Sequence, residues 1–370
     1  MNCRSCESDS LALTVTRKKF PLYIWPLPKI ESSRLEDIKL YVCNECGHMQ
    51  LQNIDSKTIS EIYREEVFNI DNPEQNISRY GLISKNNPNK FINTKVLEIG
   101  GGRNSFITVL PKQTEKWVVD FSIEESIKSN LEGNYTGDFN ELIIKETGFD
   151  FIFMFHVLEH FNNPNKALNK IRKLLKKKGS LIIEVPNFEF EIQKYPYYTL
   201  FHMHISLFSD STLISMMKKH GFSCINYYKK DEVLLAEFAL ANKIHNDNHK
   251  QHSIKLIESM QLNIEKSYSK LKAILKNIGE EKVVIFGAGG TSTLFLYSFP
   301  FMIKKVSYAI DNNEKKWGRY ICAGKIPVIS FKDFLNQGIN YVIILEDNHS
   351  QYFKNNNRNN LINIGNFYDS

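Results

Sequence analysis

Long apolar runs are missing from this sequence of 370 residues. No stretch reaches the roughly 20 consecutive apolar residues that a membrane-spanning helix needs. The first ten residues also lack the apolar region of a signal peptide. The sequence therefore predicts a cytoplasmic protein with no membrane partner.

A concentrated charge of one sign is missing as well. The 47 Lys and Arg residues outnumber the 41 Asp and Glu residues and give a formal net charge of +6, but they are scattered along the chain. The densest basic run is the lysine triplet 176–178. Nucleic-acid-binding proteins more often concentrate basic residues on one stripe or tail. We therefore expect anionic small molecules such as nucleotides as partners, and no nucleic acid.

Cysteine is scarce, and four of the six cysteines form two short pairs. Cys3 and Cys6 make one Cys-x-x-Cys pair, and Cys43 and Cys46 make the other. A redox site needs only one such pair, whereas two pairs complete a tetrahedron of thiolates around Zn²⁺. Disulfides are rare in the cytoplasm, which favours the metal. Four thiolates leave no open position for water or substrate, so we predict a structural zinc site, with His48 as a bystander.

Glycine clusters where a strand is expected to end. The stretch KVLEIGGGRN (95–104) is typical of an apolar strand followed by a glycine turn, and WVVDF (117–121) of a second strand, ending in Asp120. Glycines let the backbone approach a ligand closely, and an acidic residue about 20 positions further on can accept hydrogen bonds from ribose hydroxyls. A plain tight turn would explain the glycines alone. Together with Asp120 they favour an adenosine-bearing ligand.

Strands and helices alternate through the middle of the chain. Beyond the segment GDF (137–139), a strand is expected within FDFIFMFHVLEHF (149–161), then a helix over 165–179 and a strand over 180–187. This alternation predicts a parallel, doubly wound sheet, in which ligands lie at the carboxyl ends of the strands. The residues expected at those ends are Gly100, Gly101, Gly102, Asp120, Asp138, His156, Pro186 and Asn187.

Two of these segments resemble motifs of class I S-adenosylmethionine-dependent methyltransferases. VLEIGGG resembles the first motif of that family, and DFIFMFHVLEHF resembles its strand-four motif with a His-x-x-x-His ending. The resemblance implies a Rossmann-like domain with S-adenosyl-L-methionine (SAM) as cofactor, whereas the Gly-x-Gly-x-x-Gly spacing of a dinucleotide reductase is missing. The residues implied around SAM are Glu98, Gly100, Gly101, Gly102, Asp120, Phe121, Asp138, Phe139 and His156. Glu159 and His160 belong to the same motif, and for them the alternative to a place at the cofactor is capping of the following helix.

The stretch FHMHISLFS (201–209) resembles Tyr-His-Glu-His-x-Ser-Tyr-Phe-Ser of bacterial deoxysugar C-methyltransferases, which act on nucleotide-linked sugars. That family also begins with a four-cysteine zinc module and ends with a second α/β domain. The resemblance implies that His204, with His202 beside it, removes a proton next to a sugar ketone, since the pKa of histidine lies near the working pH. We also place Asn187 and Phe201 at the acceptor. A histidine that merely packs among aromatic residues is the alternative.

Two residues depart from that family's pattern. The glutamate between the two histidines is Met203 here, and the preceding tyrosine is Phe201. A methionine cannot orient an imidazole or share its proton. Either His202 or another carboxylate substitutes, or the chemistry has moved to O- or N-methylation. An oxygen nucleophile would still use His204 as its base.

The last third repeats the strand, glycine turn and helix. A polar linker is expected over 243–253 and an amphipathic helix from Ile254, followed by KVVIFGAGGTSTLFLY (282–297) and a strand ending in Asp311. This pattern predicts a second, smaller Rossmann-like domain.

The stretch DNNEKKWGRYICAGKIPV (311–328) resembles a segment of the same C-methyltransferase family, with that family's proline and glycine replaced by Cys322 and Ala323. In the family this domain helps to hold the nucleotide of the sugar substrate. The resemblance therefore implies nucleotide contacts, with a purely architectural domain as the alternative. The residues assigned to the nucleotide are Gly287, Gly289 and Arg319.

The sequence thus predicts an α/β enzyme in three parts. Residues 1–85 form a zinc-binding module and connecting helix, 86–242 a Rossmann-like class I methyltransferase domain, and 243–370 a linker helix and a smaller Rossmann-like domain. The predicted reaction is SAM-dependent methylation of a nucleotide sugar, in the synthesis of a surface polysaccharide or a modified sugar. An NAD(P)-dependent nucleotide-sugar reductase and a non-catalytic scaffold are the alternatives. The oligomeric state is not predicted.

Overall fold

The computed structural model describes residues 1–28, 34–53, 73–228, 231–244, 247–322, 324–345 and 360–363; Ala323 lies outside them. The strands of this part of the chain are β1 (Leu11–Pro21), β2 (Leu35–Cys43), β3 (Met49–Leu51), β4 (Lys95–Ile99), β5 (Glu115–Asp120), β6 (Gly133–Thr136), β7 (Phe149–Phe155), β8 (Leu175–Pro186), β9 (Ser206–Leu207), β10 (Phe222–Tyr228), β11 (Val233–Leu240), β12 (Val283–Phe286), β13 (Val306–Ile310), β14 (Tyr320–Ile321), β15 (Ile326–Ile329), β16 (Tyr341–Ile344) and β17 (Asn360–Asn363). Its α-helices are α1 (Pro73–Ser84), α2 (Glu125–Lys128), α3 (Pro164–Leu174), α4 (Phe188–Lys194), α5 (Asp210–Lys219), α6 (Lys250–Ile278), α7 (Gly290–Ser298) and α8 (Phe331–Phe334). None of these helices combines the length and apolar character needed to cross a bilayer.

The N-terminal sheet is antiparallel, in the order β1-β2-β3-β9. Along β2, Ile38, Leu40 and Val42 are buried while Lys39 between them is exposed, the alternation of a half-buried strand. The last strand comes from far along the chain, with Ser206 opposite β3. The core under the sheet is likewise completed by side chains of α4, α6, α7 and the segment before β9. This sheet therefore has no core of its own.

The central sheet has the order β10-β11-β8-β7-β4-β5-β6. Its strands are parallel except for the antiparallel pairs that β11 makes with β8 and β10. Ile152, Phe153 and Met154 of β7 are consecutive and all fully buried, as expected for a strand covered on both faces. The predicted doubly wound, Rossmann-like sheet is confirmed.

Helix α3 ends earlier than the sequence pattern predicts. Its start is fixed by Asn163, whose side chain accepts a hydrogen bond from Lys166 N at 2.9 Å, and by Pro164 in the first turn. The predicted helix over 165–179 was wrong in its last turn, because β8 begins at Leu175. Leu175 pairs with the first residue of β7, so the lysine triplet belongs to a strand.

The C-terminal sheet has the order β14-β15-β13-β12-β16-β17 and is parallel except for β14 with β15. This confirms a second, smaller Rossmann-like sheet. The predicted linker over 243–253 was wrong at its end, since α6 begins at Lys250; residues 245 and 246 lie outside the described part. Ser253 of α6 is buried and donates a hydrogen bond to the Gly47 carbonyl at 2.7 Å, which ties the helix to the cysteine module.

Candidate active site

The four paired cysteines meet at one end of the N-terminal sheet. Their Sγ atoms lie within 4.8 Å of one another. The Sγ atoms of Cys3 and Cys46 are 3.6 Å apart, those of Cys6 and Cys43 are 3.5 Å apart, and none of the four forms a disulfide. A tetrahedral zinc ion with Zn–S bonds of about 2.3 Å needs sulfur atoms roughly 3.8 Å apart. The cluster therefore fits the ion, and the four cysteines would hold it as a closed structural site.

The glycine turn and Asp120 come together at the carboxyl ends of β4 and β5. The Asp120 carboxylate accepts hydrogen bonds from Gly102 N and Ser122 N, both at 2.9 Å, and burial raises its pKa. Gly100 has a φ of +86°, in the left-handed region. A Cβ at Gly102 would lie 2.1 Å from the Ser122 carbonyl oxygen, so no other residue fits there without movement. The turn presents bare backbone next to an acidic side chain.

Glu98 supports this turn from below. Its carboxylate is buried and accepts hydrogen bonds from Phe106 N at 3.0 Å, from Ile107 N at 3.2 Å and from the Ser105 hydroxyl. Burial raises its pKa. Since both oxygens are engaged by the chain, Glu98 fixes the shape of the turn rather than offering a free carboxylate.

The predicted adenine-side residues separate into two groups. Phe121 is 50% exposed, and Asp138 is also exposed, with its Oδ1 accepting from Asn140 N at 2.8 Å. Phe139 is buried in the core against Phe161, with 6.3 Å between the ring centroids. Its ring therefore stabilises the domain, and only its backbone is left for a ligand.

His156, at the end of β7, lies between two glutamates. Its Nε2 is 3.0 Å from Glu184 Oε1 and its Nδ1 is 3.4 Å from Glu159 Oε1. Burial lowers the pKa of His156, but the hydrogen bonds and charges of the two glutamates outweigh burial and raise it to about 9. Its φ of +55° is rare for a residue with a Cβ, and such strain concentrates at functional sites.

Glu184 links His156 to helix α1. The guanidinium of Arg79 donates from Nε to Glu184 Oε1 at 2.9 Å, and from Nη1 to Asn76 Oδ1 at 2.7 Å. Burial raises the pKa of Glu184, but His156 and Arg79 outweigh burial and lower it to about 2. At neutral pH the positive charges of His156 and Arg79 therefore balance the negative charges of Glu159 and Glu184.

Glu159 lies where the turn that carries His156 and His160 meets the loop that carries His204. Its carboxylate is almost fully buried, and its Oε1 lies 4.0 Å from the Nε2 atoms of both His160 and His204. Neither oxygen has a hydrogen-bond partner of normal geometry among the described residues. Burial would raise the pKa of Glu159, but hydrogen bonding to His156 and the neighbouring imidazoles outweigh burial and lower it. The alternative that Glu159 and His160 cap the next helix is wrong for Glu159, because Asn163 is the cap.

His204 packs edge-on against His160, with ring centroids 5.0 Å apart, and lies 4.1 Å from the Phe201 centroid. Burial, with the charge of His160 beside it, lowers the pKa of His204 to about 3. At neutral pH its imidazole is neutral and carries a lone pair. The Nδ1 of His160 lies 2.8 Å from the Met203 carbonyl oxygen, which can only accept, so Nδ1 is the protonated nitrogen.

The structure separates His202 from this cluster. His202 is 2% exposed and lies against the backbone of Phe20 and Glu36 in the N-terminal sheet. Burial lowers its pKa. Asn187 caps α4, with its Oδ1 accepting from Glu189 N at 3.1 Å. These two predicted residues support the site rather than line it.

Glu191 of α4 faces the cluster from the other side. Burial and the charge of Glu159 raise its pKa to about 8, and His156 only partly opposes them. Glu191 is therefore protonated at neutral pH and can donate a hydrogen bond. The same group of elements also offers a second metal-like arrangement, since ligand atoms of Glu159, His160 and His204 lie within 4.8 Å of one another.

In the C-terminal domain, Asp311 already accepts three hydrogen bonds from the chain. Its carboxylate accepts from Ala288 N and Lys316 Nζ, both at 2.8 Å, and from Asn313 N at 2.9 Å. A Cβ at Gly290 would lie 2.7 Å from Ile24 Cδ1, so the start of α7 is covered by the N-terminal segment. By contrast, nothing lies within 4 Å of a Cβ at Gly289. Arg319 donates from Nε to the Lys315 carbonyl at 2.9 Å.

Sequence reasoning missed four residues of the site: Arg79, Glu184, Glu191 and, as a site residue, Glu159. Glu184 carried a signal, since a lone carboxylate inside the apolar strand SLIIEVPN has to find a buried partner. Glu159 carried another, because it is three residues from His156 on a tight turn. Nothing in the polar sequence of α1 distinguishes Arg79.

Two family models match the chain in tandem. Residues 63–227 match a model described as a methyltransferase domain, and residues 220–368 match one described as the C-methyltransferase C-terminal domain. An uncharacterized protein of Methanocaldococcus jannaschii is 34% identical over 124 residues, which cover 32% of this chain and 54% of that protein. The chain thus matches about half the length of this curated relative.

Two solved structures match part of the chain at low identity. The 1,6-didemethyltoxoflavin-N1-methyltransferase of Burkholderia thailandensis, with bound 1,6-didemethyltoxoflavin and S-adenosylhomocysteine, is 12% identical, with 53% of this chain and 96% of that chain covered and a TM-score of 0.39. A protein of Pyrococcus horikoshii OT3 is 17% identical, with 49% and 98% covered and a TM-score of 0.39.

Proposed function

Because two methyltransferase family models match the chain in tandem, we propose that it is a SAM-dependent methyltransferase that methylates a nucleotide-activated sugar at the carbon next to a keto group, with His204 as the general base. We place the reaction in the cytoplasm, because a four-cysteine cluster stays reduced there. The methylated sugar would enter a surface polysaccharide or another modified sugar.

The cofactor would lie over the glycine turn. The glycine turn offers backbone without side chains, Asp120 beside it can accept from ribose hydroxyls, and the exposed ring of Phe121 can cover adenine. SAM, when bound, supplies an electrophilic methyl group on a sulfonium. The protein's own task is to form a nucleophile in line with it.

The observation that carries the proposal is the buried carboxylate of Glu159, whose Oε1 lies 3.4 Å from His156 Nδ1 and 4.0 Å from His204 Nε2. His204 takes the α-proton from the substrate, and the carbon of the resulting enolate attacks the methyl group. The imidazolium formed on His204 is stabilised by Glu159, as a carboxylate stabilises the histidine of a catalytic triad. Glu159 therefore supplies what Met203 cannot.

A hydrogen-bond donor is needed at the enolate oxygen. Both nitrogens of His156 are engaged by Glu159 and Glu184, so His156 is not free for this role. We assign it to the carboxyl of Glu191, which is protonated at neutral pH because burial, together with the charge of Glu159, raises its pKa to about 8.

The nucleotide would contact the C-terminal domain. Gly289 is open, whereas Asp311 already accepts three hydrogen bonds and Ile24 covers the start of α7. This arrangement leaves little for the adenosine ribose of a nicotinamide cofactor and disfavours the reductase. Gly287, Gly289 and Arg319 stay our assignment for the sugar nucleotide.

The test is a panel of dTDP-, GDP- and CDP-linked keto sugars incubated with a labelled methyl donor and analysed by mass spectrometry. We expect one methylated product, and exchange of the sugar α-proton with D2O when the methyl donor is omitted, because base and enolate act before methyl transfer. His204→Ala should still bind S-adenosylhomocysteine and lose turnover. Glu159→Gln should lose turnover by on the order of 100-fold.

The matched control is Glu189→Gln, since Glu189 also pairs with a histidine but at an exposed site, 2.8 Å from His252. Its turnover should equal that of the unaltered protein. Unchanged turnover in His204→Ala would remove His204 from the mechanism, and methylation without α-proton exchange would indicate O-methylation.

A further inference from the structure

Arg4 reaches from the cysteine cluster to the loop that carries His204. Its guanidinium is 4% exposed and donates from Nη1 to the carbonyl oxygens of Leu51, at 2.8 Å, and Ile205, at 2.9 Å. Its Nη2 donates to Asn53 Oδ1 at 2.7 Å. Arg4 is thus the side chain that joins the first knuckle to the residue after His204.

Arg4 is itself held in the knuckle by its backbone. Its N–H donates to Gln50 Oε1 at 2.7 Å, and it lies between Cys3 and Cys6 in the chain. The neighbouring N–H groups of Ser5 and Cys6 both point at Cys3 Sγ, at 3.4 Å. The position of the Arg4 side chain is therefore set by the fold of the cluster.

The loop 203–207 has anchors on two sides. On the module side, Leu51 N donates to the Ile205 carbonyl at 2.9 Å, Gln50 pairs with Ser206, and His48 Nε2 lies 3.3 Å from Ser206 Oγ. His48 is thus a contact of the loop.

On the site side, His160 Nδ1 donates to the Met203 carbonyl at 2.8 Å. His204 lies between these two anchors, so they fix the backbone position from which its ring extends.

We propose that Arg4 is a positioning residue for His204 and that it couples metal binding at the four cysteines to the geometry of this base. The proposal rests on the proposed function for the reaction that His204 performs, but the coupling itself concerns the fold. Loss of the Arg4 contact removes one of the two hydrogen bonds that the Ile205 carbonyl accepts and leaves only the one from Leu51 N to hold this carbonyl, one residue from His204. A displacement of about 1 Å at a catalytic group can cost up to about 100-fold in rate.

Lys219 provides a matched control. Its Nζ donates to the Ser5 carbonyl at 2.8 Å, so it also joins the same knuckle to the middle domain. It does so from α5 and has no contact with the loop 203–207. A general loosening of the module would follow from loss of either side chain, whereas displacement of His204 would follow only from loss of Arg4.

The experiment compares Arg4→Gln, Arg4→Lys and Lys219→Gln in the full chain. Zinc content is measured by mass spectrometry, S-adenosylhomocysteine binding by calorimetry, and the His204 ring by proton–nitrogen NMR, with its signals assigned from their loss in His204→Ala. In Arg4→Gln we expect unchanged zinc and cofactor binding, shifted His204 signals, and a kcat lower by between about tenfold and about a hundredfold with KM within about twofold. Arg4→Lys should give His204 signals and a kcat between those of Arg4→Gln and the unaltered protein. Lys219→Gln should match the unaltered protein.

Unshifted His204 signals in Arg4→Gln would overturn the proposal, and so would an equal shift in Lys219→Gln. If Arg4→Gln does not fold, the His204 signals of Arg4→Lys provide the test, and their absence of shift would overturn the proposal. Removal of zinc from the unaltered protein should shift the His204 signals in the same direction, and no shift would overturn the coupling. The NMR result is independent of turnover, so failure to methylate any sugar would count against the proposed function alone.

Discussion

At the scale of single residues, the site is defined by buried charge that is only loosely paired. The Glu159 carboxylate is almost fully buried and lies 3.4 Å from His156 Nδ1, so part of the free-energy cost of burying its charge remains. In the proposed reaction, that cost falls when the imidazole of His204 becomes positive. Glu159, on the turn after β7, takes in this proposal the role of the glutamate that Met203 replaces.

His156 gives a prediction for stability against pH. Its pKa rises from the ordinary 6.5 to about 9 on folding, so its contribution is fully present below pH 6.5 and is lost as pH rises through 9. About a third of the side chain is exposed, with 35% accessible, and solvent screening leaves on the order of 1 kcal/mol. Urea unfolding at pH 6.5 and 9 should show this loss, and His156→Asn should abolish it.

The control for that measurement is His252→Asn, because His252 pairs with Glu189 at an exposed site. It should keep the pH dependence of the unaltered protein. An identical curve for His156→Asn would show that another group causes the loss.

At the scale of elements, the two glycine turns look alike in sequence but differ in their surroundings. In the turn after β4, Gly102 touches Ser122 and Asp120, whereas Gly289 before α7 has open space. Gly102 therefore has a strict steric role that Gly289 does not have.

Gly102→Ala should weaken S-adenosylhomocysteine binding, by on the order of tenfold or more, because its Cβ would displace the Asp120 carboxylate or the Ser122 carbonyl. Gly289→Ala should leave that binding unchanged. Calorimetry on the two variants makes the comparison, and equal affinities would mean that the cofactor does not lie over the first turn.

Elements were predictable from the sequence where the chemistry is local. The glycine turn and Asp120 follow from the strand–turn–strand spacing, and the two cysteine pairs from their own spacing. The end of α3 was not predictable, because the pairing of Leu175 with β7 outweighs the helical pattern. The contacts of Arg79 with Glu184, and of Glu159 with His204, join segments far apart in sequence and depend on how the sheet packs.

At the scale of the whole molecule, the N-terminal module is joined to both other parts. Leu27 and Tyr320 exchange two backbone hydrogen bonds of 2.9 Å, and the core of the N-terminal sheet includes Phe188, Phe201 and Leu294. Since this core is shared, the module is not expected to unfold by itself.

Removal of zinc should therefore lower the melting temperature of the protein as a whole, on the order of 10 °C, and should not create a separate transition. Scanning calorimetry with and without a chelator tests this. An early transition with the main one unmoved would show that the module melts independently.

The strand β9 closes the N-terminal sheet only when Ser206 pairs with Gln50. During synthesis, the first three strands emerge from the ribosome roughly ten seconds before this partner does. Throughout that interval β3 presents an open hydrogen-bonding edge, which is a template for association with other chains. Early capture of zinc by the two knuckles would hold this edge in place until its own strand arrives.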